Sequence, residues 1–85
     1  MASDRPVGFK LLGPPKDVKI IAKGRQIRVL RSLKKRFGGT NWRKEKGIAR
    51  IEDEYGWIGE AEIHWFEAHG TGRVGWKIKR RLTTR

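Results

Sequence analysis

The chain has 85 residues, with 21 lysines and arginines against 9 acidic residues, a net charge of +12, and no cysteine. This composition excludes disulfides and thiolate metal sites, and no apolar run is long enough for a membrane span or a signal-peptide core. We therefore expect a small cytoplasmic protein. Because so large a positive excess repels itself, we expect the protein to bind a polyanion, RNA, and not a membrane; the alternatives are an anionic membrane surface and a solvated basic protein without such a ligand.

The beginning of the chain predicts an extended segment followed by a strand. Residues 1–16 show no hydrophobic periodicity, and Gly13-Pro14-Pro15 disfavours a helix, so we expect an N-terminal arm. A single small domain is predicted over residues 17–85. It begins with a short run rich in β-branched residues, Asp17 to Ala22, which is typical of an edge strand.

Residues 25–37 predict a basic amphipathic helix that Gly38-Gly39 ends. The apolar residues that recur at spacings of three and four are Ile27, Leu30, Leu33 and Phe37. Basic side chains cover the rest of the circumference, and the outer side is expected to contact phosphate groups. The cations predicted for that contact are Arg28, Arg31 and Lys35.

Two aromatic residues in predicted loops are candidates for stacking on nucleobases. Trp42 lies in the polar segment 40–46, where it either stacks on a base or fills the core beneath the helix. Tyr55 lies in a predicted hairpin turn and either stacks on a base or shields the end of the sheet.

The rest of the chain predicts a three-stranded antiparallel meander. Its strands are Gly47 to Asp53, Ile58 to Ala68, and Arg73 to Leu82. Gly56 supplies the positive φ that a three-residue hairpin loop requires, and the resulting register sets Arg50 opposite Glu60. The whole domain is thus α+β, with one helix on a sheet of three or four strands in the order β-α-β-β-β.

Alternation along the strands assigns residues to the two faces of this sheet. The set predicted to form a core under the helix is Ala49, Ile51, Ala61, Ile63, Trp65, Val74, Trp76 and Ile78. The set predicted to face away from the helix is Arg50, Glu52, Glu60, Glu62, His64, Lys77, Lys79 and Arg81. Such a charged face is either a phosphate-binding surface or a ladder of ion pairs that serves solubility and register.

Cleavage of RNA without a metal needs a base, an acid and cations that stabilise the phosphorane. His69, in the Gly-rich turn, is the first candidate for acid–base chemistry, and His64 and Glu62 are the alternatives. The cations predicted to hold phosphate on the sheet are Arg50, Arg73, Lys77, Lys79 and Arg81. No cofactor and no metal are predicted, since the spacing of the acidic residues and histidines does not favour a metal site.

The layout resembles small ribonuclease toxins of the RelE and colicin kind, in size, charge and element order over residues 17–82. No motif of those proteins matches residue by residue, so the resemblance transfers no catalytic residue. It implies metal-independent RNA cleavage and an acidic protein partner that neutralises it. The alternatives are a non-catalytic RNA- or ribosome-binding module, and an adaptor or inhibitor that binds an acidic protein.

Overall fold

The computed structural model describes Pro6 and residues 8–83. Within that range the fold is α+β, with one α-helix and a five-stranded antiparallel sheet, so the class is as predicted and the strand number is higher than predicted. The elements are β1 (Phe9–Leu11), β2 (Lys16–Lys23), α1 (Leu30–Phe37), β3 (Thr40–Asp53), β4 (Ile58–His69) and β5 (Gly72–Arg81).

The long strand β3 organises the sheet. Both β1 and β2 pair with one edge of β3, β4 pairs with its other edge, and β5 forms the far edge beyond β4. Part of the predicted N-terminal arm is therefore a strand of the sheet, while residues 1–5 and 7 of that arm lie outside the described residues. The segment 40–46 belongs to β3, so its prediction as a loop was wrong.

The hairpin between β3 and β4 has the predicted register. Arg50 lies opposite Glu60 and Ala49 opposite Ala61, and Gly56 has a φ of +88° in the turn. Opposite charges and a glycine with positive φ are local features, which explains why the sequence alone could define this hairpin.

The hairpin between β4 and β5 has the predicted register only in its middle, where His64 lies opposite Lys77. One irregularity in β5 lies near Gly75, whose φ is +68°, and a second places Arg80, not Lys79, opposite Glu62. Each extra residue in β5 shifts the pairing by one position. As a result Arg81 lies opposite Ala61, which moves it to the other face from the one predicted.

The helix begins later than predicted. Residues 24–26 form a 3₁₀ turn, Ile27 is extended, and α1 starts only at Leu30. Ile27 is 4% exposed and packs in the core, and its extended backbone allows its side chain to reach that core. The β-branched Ile27 and Val29 also lower the local helix propensity.

The helix packs on the opposite side of the sheet from the one predicted. Its Leu33 joins Trp42, Ala68 and Val74 in one core cluster, on the face that also carries His64. The second cluster, on the other face, contains Ala49, Ile51, Ala61, Ile63 and Trp65, with Phe9, Leu11, Trp57, Trp76 and Ile78 packed against it. The prediction failed because Trp42, which packs with the helix, was placed in a loop. The helix was therefore assigned to the sheet face that carries more apolar residues.

Candidate nucleic-acid interface

Three lysines and His64 form a row across one face of the sheet, which we call the basic face. Lys19 of β2 lies opposite Lys46 of β3, Lys46 lies opposite His64 of β4, and His64 lies opposite Lys77 of β5. Residues directly opposite each other in an antiparallel sheet point to the same side, so all four share this face. With strands about 4.8 Å apart, the row spans about 14 Å.

None of the three lysines of this row forms an ion pair with a carboxylate among the described residues, although the charge of Lys46 contributes to the lowered pKa of Glu62. Ion pairs form elsewhere on the sheet, for example between Lys16 Nζ and Glu60 at 3.3 Å, but none involves Lys19, Lys46 or Lys77. Like charges directly opposite each other destabilise a strand pair, which applies to Lys19 and Lys46. An anion bound on the row would remove this repulsion.

Beside the row, His64 and Glu62 form a close pair. His64 Nε2 lies 2.8 Å from Glu62 Oε2, and Arg80 Nε donates a hydrogen bond of 3.0 Å to Glu62 Oε1. The two side chains are only 13% and 15% exposed. The hydrogen bond with His64 lowers the pKa of Glu62 against the opposing effect of desolvation, and the positive charge of Arg80 lowers it further. Glu62 is therefore ionised and holds one nitrogen of the imidazole.

Two grooves flank this pair. One has a volume of about 390 Å³. We call it the Ile48 groove, and its lining includes Val18, Lys19, Lys46, Ile48, Glu62 and Arg80. The other has a volume of about 700 Å³. We call it the Phe66 groove, and its lining includes Ile27, Arg28, Val29, Lys44, Phe66 and Lys77.

The structure does not bring His69 together with Glu62 and His64. His69 is the exposed last residue of β4 and lies opposite Thr40. Five residues along a strand put His69 about 16 Å from His64 and on the other face. His69 and the alternative candidates, His64 and Glu62, therefore belong to separate places on the sheet.

Two of the predicted phosphate ligands form ion pairs away from the basic face. Arg73 Nε lies 3.5 Å from Glu67 Oε1, and Arg81 Nη2 lies 2.6 Å from Asp53 Oδ2. Their guanidinium groups also cover indole rings, Arg73 over Trp65 and Arg81 over the tryptophan of the first hairpin. In this structure both arginines therefore neutralise carboxylates on the face opposite the basic one.

The other predicted cations are exposed and differ in position. Arg28 lines the Phe66 groove, whereas Arg31 and Lys35 lie on α1. Arg50 lies on the basic face opposite Glu60, and Lys79 lies at the second irregularity of β5.

Of the two aromatic candidates, only Tyr55 is accessible. Tyr55 is 84% exposed in the turn between β3 and β4. Trp42 is 2% exposed, and its Nε1–H donates a hydrogen bond of 2.9 Å to the carbonyl of Gly38. Trp42 fills the core beside α1, so the prediction that it stacks on a base was wrong, and the alternative interpretation is the correct one.

Sequence reasoning missed Lys19, Lys44, Lys46 and Arg80. Lys44 and Lys46 alternate along β3 with Glu45 and Gly47, which are buried. Because neither buried residue has an apolar side chain, the sequence lacks the alternation of apolar and polar residues that predicts a strand. The placement of Lys19 depends on irregular pairing between β2 and β3, which no local signal indicates. The placement of Arg80 depends on the second irregularity of β5, between Ile78 and Arg80, which contains no glycine that could have marked it.

On the opposite face, carboxylates and arginines form a separate network around Trp65. Its indole Nε1–H donates a hydrogen bond of 2.8 Å to Glu45 Oε1, and Arg43 lies between Glu45 and Glu67. Burial raises the pKa of Glu45, and a hydrogen bond with Glu67 raises it further, whereas the pKa of Glu67 is lowered by that bond and by Arg73 and Arg43. Every charge here has a partner, so we interpret this network as structural.

In the described part of the chain, no cluster of His, Asp or Glu side chains could hold a metal ion. The same residues include no helix with the length and apolar character needed to cross a membrane. In comparisons with protein families, curated proteins and solved structures, nothing matches this chain.

Proposed function

We propose that this protein binds RNA on its basic face. The observation that carries the proposal is the row of Lys19, Lys46 and Lys77 across the sheet, none of which forms an ion pair with a carboxylate among the described residues. A row in which two lysines lie directly opposite each other without an ion pair is suited to an anionic ligand.

The surroundings of the row favour a polyanion over a single small anion. Grooves extend the basic face on both sides, and each contains cations of its own, Arg80 in the Ile48 groove and Arg28 in the Phe66 groove. Several phosphates can therefore be bound in succession. Such binding releases counterions, so affinity falls steeply with salt.

The test compares Lys46→Gln and Lys77→Gln with Lys35→Gln, a matched loss of one charge on α1. We expect each sheet variant to lower the affinity for a short RNA about threefold to tenfold and to reduce the salt slope by nearly one phosphate contact. Lys46→Gln should change the free energy of unfolding little, because it removes both the repulsion by Lys19 and the attraction to Glu62. An equal or larger loss in Lys35→Gln would place the interface on the helix and refute the proposal.

A second candidate function, metal-independent cleavage of RNA, is favoured by the pair of His64 and Glu62. When the imidazole donates Nε2–H to Glu62, its Nδ1 carries the lone pair and can accept a proton. His64 would take the proton of a 2′-hydroxyl, and the 2′-oxygen would attack the adjacent phosphorus. The bond from phosphorus to the 5′-oxygen breaks, that oxygen takes a proton from water, and a 2′,3′-cyclic phosphate remains.

Cleavage is tested by incubating RNA with the protein and a chelator, and by identifying cyclic phosphate ends. His64→Ala should abolish the reaction, and Glu62→Gln should slow it by mispositioning the imidazole. His69→Ala is the matched control and should cleave at the wild-type rate. Intact RNA with the wild type would eliminate this second function, and a loss confined to His69→Ala would move the chemistry to the turn.

A further inference from the structure

The Phe66 groove combines an apolar floor with a cationic rim. Phe66 is half-buried on the basic face, and the largely buried Ile27 and the exposed Val29 also line the groove. The rim carries Arg28, Lys44 and Lys77. At about 700 Å³ the groove is of the size that small ligands occupy, and sites of that kind pair apolar walls with a few polar groups.

We propose that this groove receives one unstacked base of a single-stranded RNA, whose phosphate lies on the neighbouring row of lysines. The inference rests on the proposed RNA binding and specifies its substrate. In a duplex the bases are stacked inside the helix and cannot enter such a groove, whereas a single strand can present them one at a time.

The position of Phe66 supports this arrangement. Phe66 and His64 are two residues apart on β4, so on the same face they are separated by about 7 Å. A base beside Phe66 thus has its own sugar and phosphate near Lys77, which belongs both to the groove and to the row.

Two residues next to Phe66 allow a base to approach its aromatic ring. Gly75 lies against Phe66 without a side chain, and a Cβ there would come 3.1 Å from Phe66 Cδ2. On the ring face, Lys44 Nζ lies 5.8 Å from the centroid, and its flexible side chain can move from the ring to a phosphate. Aromatic surface and positive charge are therefore adjacent, which is the combination that binds single strands.

The experiment measures binding of a fluorescent RNA of eight nucleotides, of the same strand with abasic sites, and of a duplex of equal length. Phe66→Leu removes the ring and keeps an apolar side chain. Phe37→Leu is the matched control, because Phe37 packs against the same core cluster and does not line the groove. Thermal unfolding shows whether the two variants lose equal stability.

We expect the wild type to prefer the intact strand over the abasic strand by about fivefold to 100-fold, the range that stacking of one base gives. Phe66→Leu should lose most of this preference and keep its affinity for the duplex, and Phe37→Leu should behave as wild type. Equal binding of intact and abasic strands by the wild type, or equal losses in both variants, would overturn the base site. If Lys46→Gln still weakened binding in that case, RNA binding itself would stand, whereas no binding of any RNA would refute both.

Discussion

Replacing Trp65 by phenylalanine tests the buried network on the face opposite the basic one. Trp65 is fully buried, its ring stacks on Trp76 at a centroid distance of 5.1 Å, and its indole N–H donates to the carboxylate of Glu45. A hydrogen bond to a charged group contributes about 1.5–3 kcal/mol, and the space left by the smaller ring costs about 1 kcal/mol more. We therefore expect Trp65→Phe to lower the free energy of unfolding by about 2.5–4 kcal/mol.

A domain of this length has a total stability of about 4–13 kcal/mol, so the Trp65→Phe variant should fold with a melting temperature lowered by about 10–30 °C. Urea unfolding followed by circular dichroism measures the loss directly. In a background carrying Glu45→Leu the same substitution should cost at least 1 kcal/mol less, because the acceptor is gone. A loss below about 0.5 kcal/mol, or equal losses in both backgrounds, would show that the bond between Trp65 and Glu45 does not hold the sheet.

Three further substitutions test other parts of the structure. Gly75→Ala should destabilise the fold by about 1–3 kcal/mol in thermal unfolding, because it forces a side chain into positive φ and towards Phe66, and a neutral result would place no bulge there. Trp42→Phe should cost a similar 1–3 kcal/mol, since the carbonyl of Gly38 loses its donor, and an unchanged stability would mean that this indole is exposed. The hydrogen bond with the neighbouring imidazole lowers the pKa of Glu62, so its contribution is present above the ordinary value of 4.5 and is lost as the pH falls through the lowered pKa. Glu62→Gln should flatten this acid limb of the plot of stability against pH, and an unchanged limb would contradict the pairing.

Local features of the sequence were sufficient for the α+β class and for the first hairpin. The pair of Arg50 and Glu60, together with the glycine at position 56, defines the register of β3 and β4 without reference to any other part of the chain. The helix was predicted from its apolar stripe, but its start was not, because Ile27 is extended and packs in a core whose other members are distant in sequence.

Contacts distant in sequence determined what could not be predicted. In the first half of β3, Glu45 is buried because it accepts a hydrogen bond from Trp65, and Gly47 is needed because a Cβ there would come 3.1 Å from the same indole. Neither Glu45 nor Gly47 is hydrophobic, so the alternation that predicts a strand is absent here. Lys44 and Lys46 were therefore not recognised as residues of a strand. Only part of the candidate site was therefore predicted. His64 and Lys77 were correctly paired, whereas Lys46 was assigned to a loop.

Arginines and lysines have different roles on the two faces of the sheet. Arg43, Arg73 and Arg81 bind carboxylates on the face opposite the basic one, and Arg73 and Arg81 also cover indole rings, since the planar guanidinium suits both contacts. The row on the basic face uses lysines, whose compact and strongly hydrated ammonium groups can stay in water until a ligand arrives. Because these arginines pair with acidic residues of their own face, those carboxylates do not neutralise the lysines of the row. The same ion pairs that stabilise the sheet therefore help to produce the surface on which we place the RNA.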